Sequence, residues 1–384
     1  MNKLLLFIGT LFFATIGSSA SSSASSSASP NQLRGFNEQN EQNAQNEEQK
    51  YSMTDNEWEI FKSEKFDSFL TKFNKKYDVD EKLHRYRIFS SNLLDIINHN
   101  FNKSHTYTKG INQFTDLTPA EFKSLYIGNF SNYNISDFKL YGATNCESFS
   151  GSNKIDLPEE LDWRTKNAVS NVKNQGQCGS CWSFSASGAM EGAFAIKHGK
   201  LVSLSEQELV DCAGLKYSSM GCNGGQMDGA FKYAMVNGMC LEESYPYTSG
   251  LTQNAGSCSK AKCDAVTTVT GCADVKPNDQ TVLKEAVGTI GPISIAIEAD
   301  TKIFQSYSGG VITSTNCGQK LDHGVLIVGY GRDEKLNQDY WIVKNSWGTS
   351  WGEDGYVRIA RSNSTSDGGI CGIAMEPSYP LVVV

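Results

Sequence analysis

Gln175-Gly176-Gln177-Cys178-Gly179-Ser180-Cys181-Trp182-Ser183-Phe184 is the stretch on which the reading of this chain turns. Two thiols stand at the head of a run that ends at His198-Gly199. This pattern predicts a helix over Ser180 to His198 with a glycine stop. Three chemistries compete for the C-x-x-C. A redox dithiol wants a βαβ unit close by, and the surrounding sequence has none. A zinc site wants a second pair at ligand spacing, and Cys258 with Cys263 has the wrong gap. The third makes Cys178 a disulfide partner and Cys181 a nucleophile. The helix N-terminus and a nearby imidazolium would then populate the thiolate.

A catalytic thiol needs a base, and the chain has five histidines. His84, His99 and His105 lie in a separate front unit. His198 closes the helix that Cys181 opens, about 25 Å away at 1.5 Å per residue, too far to take its proton. His323 remains, in Leu321-Asp322-His323-Gly324-Val325. Asn345, in Val343-Lys344-Asn345-Ser346-Trp347-Gly348, could hold that imidazole by its side-chain amide while Trp347 shields the bond.

The rest of the chain frames this constellation. With 384 residues, 39% hydrophobic and 20% charged, it reads as an ordinary globular protein. A net charge of -8 argues against a nucleic-acid partner, and no apolar run reaches a membrane span of ~20 residues. Lys3, the apolar run Leu4–Ile16 and the exit Gly17-Ser18-Ser19-Ala20 predict a secretory signal peptide over residues 1–20. Secretory entry permits disulfides, and glycans at Asn102, Asn129, Asn134 and Asn363. Residues 21–50 are nearly all Ser, Ala, Asn, Gln and Glu, too polar to order themselves. Trp58, Phe61, Phe66, Phe69, Phe73 and Tyr77 recur at helical spacing. A second helix is expected from Asp80 to about Asn102, with Tyr86, Phe89, Leu93, Ile96 and Ile97 as its apolar stripe. On the residues alone this front unit is a small independent helical domain.

After Pro158 the chain is glycine-rich and carries ten of its eleven cysteines, an odd total that leaves at least one thiol unpaired. Ile293–Ile297, Val325–Val328, Trp341–Val343 and Tyr356–Ile359 are short β-branched or aromatic runs, expected as antiparallel strands. Helix first and strands later make an α+β arrangement.

At these residues the sequence resembles the papain family of cysteine proteases, in its cathepsin L-like branch. The C-G-S-C-W signature is present, and His323 follows Cys181 within the family's range of about 130–150 residues. Glu81, Arg85, Phe89, Asn92, Ile96 and Asn100 reproduce the E-x3-R-x3-F-x2-N-x3-I-x3-N helix of cathepsin L-like propeptides. Gly110-Ile111-Asn112-Gln113-Phe114-Thr115-Asp116 fits the G-x-N-x-F-x-D motif that follows it. The likeness runs from about Trp58 to Pro380.

The resemblance implies a papain-like two-lobed α+β fold behind a helical inhibitory propeptide. The expected domains are a propeptide over 21–156, its inhibitory part at 55–125, and a mature domain over 157–384. Cys181 would be the nucleophile, His323 the general base and then acid, and Asn345 its holder. The Gln175 amide and the Cys181 N–H would form the oxyanion hole. Gly224 and Gly225 would pair with extended substrate. Met227, Ala296, Leu321 and Glu376 would line the S2 pocket beside Trp347. The first three favour an apolar residue there. Glu376 either swings out to solvent or, when ionised, admits Arg. The propeptide would lie in the cleft in the non-productive direction and loosen as acid protonates paired carboxylates, with Asp116 the guessed trigger.

By the same resemblance Cys178 pairs with Cys222, Cys212 with Cys258, and Cys317 with Cys371. Cys240 is expected to pair with Cys263 and Cys272 to be a buried free thiol, while Cys146 leaves with the propeptide. No cofactor or metal is expected. The implied partners are protein or peptide substrates, the chain's own propeptide and cystatin-like inhibitors, acting on a monomer. The function implied is an endopeptidase made as an acid-activated zymogen; the alternative is an inactive binding or inhibitory homologue. Cys181, His323, Asn345 and Gln175 are all present, which weighs against that alternative. A carboxypeptidase or aminopeptidase would need a cleft-blocking insertion near Gln175 or His323, and no large one occurs.

Overall fold

The computed structural model describes residues 54–127, 146–152, 155–259, 263–266 and 269–382. The expected signal segment, the polar spacer and the sequons at Asn129 and Asn134 lie outside the described residues. Asn102 and Asn363 are exposed.

Two helices lead, α1 (Asp55–Lys72) and α2 (Val79–Phe101). The aromatic spacing carries α1 on through Phe73 and Tyr77, but Asn74 adopts φ 50° and turns the chain. The Asp78 carboxylate caps α2, accepting from Glu81 N–H at 2.9 Å. Phe66, Phe69, Phe89 and Leu93 make a small aromatic core between the helices, with Phe89 ring centroids 5.0–5.2 Å from those of Phe69 and Phe66.

The polar positions of α2 are equally occupied. Arg85 joins Glu81 at 2.6 Å and Glu121 at 2.9 Å. Asn92 Nδ2 donates to the carbonyls of Thr115 (2.8 Å) and Leu117 (2.9 Å). Asn100 pairs with both backbone groups of Lys109. Asp116 is buried and accepts from Lys75 Nζ at 3.0 Å and from Tyr77 Oη. The helix therefore sets the path of the chain that follows it.

Beyond lie α3 (Cys181–His198), α4 (Glu206–Cys212), α5 (Met227–Asn237) and α6 (Gln280–Thr289). The strands are β1 (Tyr107–Lys109), β2 (Glu147–Phe149), β3 (Leu161–Asp162), β4 (Val269–Val275), β5 (Ile293–Ile297), β6 (Tyr307–Ile312), β7 (His323–Asp333), β8 (Gln338–Lys344), β9 (Tyr356–Ala360) and β10 (Ser378–Val382). They form one sheet in the order β1-β6-β9-β8-β7-β5-β10-β4-β2, with β3 also on β7. Each of the four expected strands falls inside one of these. One buried core gathers on α3, with Ala186, Met190, Leu209 and Phe231. The other lies in the sheet, with Ile295, Ile327, Trp341 and Val357. These are the two lobes of an α+β, papain-like fold.

The front unit is not free-standing. β1 pairs antiparallel with β6, Tyr107 opposite Gly310, so the helical unit contributes the end strand of the peptidase sheet.

The structure pairs Cys178 with Cys222, Cys212 with Cys258, Cys240 with Cys263 and Cys317 with Cys371. Two expectations are corrected. Cys272 is not a free thiol and Cys146 is not free to leave, because the two are joined. The reason is local: β2 lies parallel to β4, Glu147 opposite Ala273, so the residues just ahead of each register pair are brought together. Among the described residues Cys181 alone is free, which resolves the odd count.

Candidate active site

Helix α3 opens at Cys181, where unpaired backbone N–H groups converge. Ser180, in the N-cap position, makes no capping bond and turns its hydroxyl to Tyr247 Oη at 2.7 Å. Tyr247 in turn donates to Gln175 O at 2.8 Å, so one phenol ties both ends of the loop that carries the signature. The backbone N–H groups of Gly324 and Trp182 favour the charged form of the Cys181 thiol. A Cβ at Gly324 would stand 3.1 Å from Trp182 Cα, so glycine lets β7 pass against the head of α3. His323, the first residue of β7, directly precedes the glycine that packs against the Cys181 and Trp182 backbone.

The protonation of His323 follows from its partners. Asn345 Oδ1 lies 2.8 Å from His323 Nε2 and accepts Ser346 N–H at 2.7 Å. A backbone amide can only donate, so the atom it meets is the amide oxygen, and Nε2 must carry the proton. Nδ1 is then the lone-pair nitrogen, buried and without a hydrogen-bond partner among the described residues. Trp347 stacks on the imidazole at 4.7 Å and 27°. The arrangement leaves one nitrogen poised to take a proton.

Gln175 is held as firmly. Its Nε2 donates to Cys178 O at 3.0 Å, and its Oε1 accepts from Ser346 Oγ at 2.6 Å. The same Nε2 donates to Tyr126 O at 2.9 Å, so a backbone carbonyl of the front unit already occupies the amide. Phe114 and Phe122 stand edge-on to Trp347 at 5.5 and 5.3 Å, and Gln113 Nε2 donates to Trp347 O at 2.7 Å. The cleft is covered. Burial accordingly pushes the Cys181 thiol up to about 12, against the backbone N–H groups it meets. Burial also pulls His323 down to about 4, against its bond to Asn345. Burial thus disfavours the charged form of each group in this closed form.

Gly225, Met227, Ala296, Leu321 and Glu376 line one cavity of about 30 Å³ with Trp182, Asp322 and His323. A Cβ at Gly225 would lie 2.6 Å from the Trp182 ring, which requires glycine there. Glu376 is half-buried. Two expected residues fall outside this cavity: Gly224 shapes the preceding turn at φ 115°, and Trp347 covers the imidazole. Asp322 was not anticipated. Burial pushes its carboxyl up to about 7, and Ala299 N–H donates to it at 2.7 Å.

Ser346, Tyr247 and Lys173 also escape sequence reasoning. Lys173 reaches Glu191 at 3.0 Å and Glu206 at 2.6 Å beneath the site, where a cavity of about 20 Å³ adjoins Asn345 and Ser346. Only the adjacency of Ser346 to Asn345 could have flagged one of the three.

The model for "Papain family cysteine protease" matches residues 157–381, more than half of the chain. The chain belongs to the papain family of cysteine proteases. The model for "Cathepsin propeptide inhibitor domain (I29)" matches residues 66–122 of this papain-family chain, the helices and the segment threaded over the cleft. A Caenorhabditis elegans protein described as "Cathepsin L-like" is 44% identical over 329 residues, 83% of this chain and 91% of its own length. Cathepsin L of Sarcophaga peregrina is 43% identical over 331 residues, covering 83% and 93%. Among solved structures, digestive procathepsin L 3 of Tenebrio molitor larval midgut aligns with a TM-score of 0.70 at 40% identity. That alignment covers 84% of this chain and 99% of the other. This chain is thus a cathepsin L-like cysteine protease carrying its inhibitory propeptide domain, a peptide hydrolase. Among the described residues no helix is long and apolar enough to cross a membrane.

Proposed function

We propose that Cys181 is the nucleophile of an endopeptidase, His323 its base and then acid, Asn345 the group that orients His323, and Gln175 with the Cys181 N–H the oxyanion hole. The observation that carries this reading is Asn345 Oδ1 bound by both Ser346 N–H and His323 Nε2, which leaves Nδ1 as a proton acceptor. Proton transfer from the thiol would create thiolate and imidazolium together. The thiolate attacks the scissile carbonyl, the imidazolium protonates the leaving amine, and water releases the acyl group. The Gln175 amide, freed of Tyr126 O, would meet the tetrahedral oxyanion, a donor worth about 3 kcal/mol in enzymes generally.

Conversion of the zymogen is read as a cut near Leu157 at acidic pH, with the propeptide lying in the cleft in the non-productive direction. An apolar residue fits the S2 cavity, and ionised Glu376 extends it to Arg. Substrate pairing with Gly224 and Gly225, a secretory route ending in a lysosome, a vacuole or outside the cell, cystatin-like inhibitors and a monomeric state complete the reading. The test is acidification of the purified full chain to about pH 4–5. On analysis under reducing conditions, which open the Cys146–Cys272 bond, a drop in size is expected for wild type and none for Cys181→Ala alone. Conversion of that variant by itself would show that another nucleophile or a contaminant does the work.

A further inference from the structure

The bond between Cys146 and Cys272 ties a residue ahead of the expected cut to a strand inside the peptidase domain. We propose that Cys146–Ser152 is not discarded with the propeptide but stays on the matured enzyme as a disulfide-held edge strand. The proposal rests on the reading that conversion cuts the chain between the cleft-covering segment and Leu157, and adds what that cut leaves behind.

Among the described residues, the contacts of this stretch run to the peptidase domain. The Cys146 and Cys272 Cα atoms are 4.8 Å apart, across 126 residues of sequence, and Cys272 is buried. Glu147, Ser148 and Phe149 run parallel to Ala273, Asp274 and Val275, and Lys276 N–H donates to Phe149 O at 2.9 Å. The Phe149 ring stands edge-on to Tyr379 at 6.0 Å. Ser152 donates through its N–H at 2.7 Å and its hydroxyl at 2.9 Å to Glu285 Oε1 on α6. The strand is the last of the sheet, so it covers backbone groups of β4 that would otherwise form an open edge.

Hydrolysis of a peptide bond between Ser152 and Leu157 adds one water, giving a carboxylate on one side and an amine on the other. It does not touch the S–S bond. A second cut ahead of Cys146, which frees the rest of the propeptide, leaves a short peptide that a few hydrogen bonds alone would lose on dilution. The disulfide keeps it at the high effective concentration of an intramolecular partner, and the strand stays paired. A cut ahead of Cys146 alone leaves the stretch as the N-terminus of a single chain, with the same contacts. The bond is also guarded. Carboxylate oxygens of Asp228 and Asp274 lie within 4.8 Å of the Cys146 sulfur, and their charge repels the thiolate that exchange requires.

The full chain is acidified without reductant, free thiols are blocked with iodoacetamide, and the matured enzyme is mapped by mass spectrometry before and after reduction. Expected are residues 146–152 in the matured enzyme, a peptide pair linked through Cys146 and Cys272, and Cys181 as the one alkylated cysteine. Matured enzyme that lacks residues 146–152 and carries alkylated Cys272 overturns the proposal. A chain that stays at full length counts against self-conversion only; added pepsin then makes the cut, and the same map decides. The variant Cys146→Ser/Cys272→Ser leaves the catalytic residues intact. Its matured form is expected to unfold several degrees below wild type, and an unchanged midpoint would show that the bond holds nothing in place.

Discussion

Asn92→Ala is the substitution in the front unit whose effect the structure specifies most closely. Asn92 is 8% exposed, and its amide makes two hydrogen bonds, to Thr115 O and Leu117 O. Leu117 O keeps a second donor, Gln305 Nε2 at 2.8 Å, whereas Thr115 O loses the side-chain donor that holds it. Two lost bonds at about 1 kcal/mol each, with up to about 2 kcal/mol more for a carbonyl left unpaired, give about 2–4 kcal/mol. The path of residues 115–117 positions Phe114 and Phe122 over Trp347, so this cost falls on the closed form of the cleft. At 1.4 kcal/mol per decade the open–closed equilibrium constant should shift roughly 30- to 700-fold toward the open form, the labelling rate rising until it meets that of the matured enzyme. The assay is the rate of Cys181 alkylation in the full chain at pH 7, with Cys181→Ala as the blank. A rate equal to wild type, with an unchanged thermal midpoint, would refute the claim that α2 holds the cleft closed.

Asn345→Ala should lower kcat on the order of 10²-fold with KM little changed, because the imidazole loses the partner that fixes its ring and tautomer. An equal loss in KM would place Asn345 in substrate binding instead. Burial alone would raise the Glu121 carboxyl, but Thr118 N–H, the Thr118 hydroxyl and Arg85 outweigh it and hold it below its usual 4.5. A depressed carboxylate stabilises the closed form above pH 4.5, and that contribution is lost as pH falls through the lowered value. Glu121→Gln should therefore open the zymogen somewhat at pH 7 and flatten the further opening below pH 4.5; an unaltered acid limb would contradict this. Glu376→Ala should lower cleavage of Arg-Arg relative to Phe-Arg fluorogenic peptides. An unchanged ratio would mean that the carboxylate does not read the S2 residue.

The proposed catalytic constellation could be assembled from sequence because its chemistry needs particular residue types. A thiol at a helix start and a single eligible histidine leave few alternatives, and the family resemblance supplied the rest. The strands around Ile295 and Val325 were legible because buried strands read as β-branched runs between glycines. The Cys146–Cys272 bond was not. Spacing does not fix connectivity, and these residues meet only because β2 adds to the edge of β4. Nor could periodicity place the Tyr126 carbonyl on Gln175, since that contact is made by backbone, which carries no residue signature. Tyr247 and Ser346 were missed for a related reason. Each acts by holding a loop or an amide across 72 and 171 residues, distances over which single-sequence patterns say nothing.

The measurement that bears most directly on a Cys181 nucleophile sheathed by its own propeptide is the rate and position of alkylation before and after maturation. Iodoacetamide at pH 7 should label the matured enzyme at least about tenfold faster than the full chain, since a closed cleft is open only a few per cent of the time or less. The adduct should sit on Cys181 alone and abolish peptide cleavage in proportion to labelling. Equal rates in the two forms, or full activity after Cys181 is labelled, would contradict the mechanism.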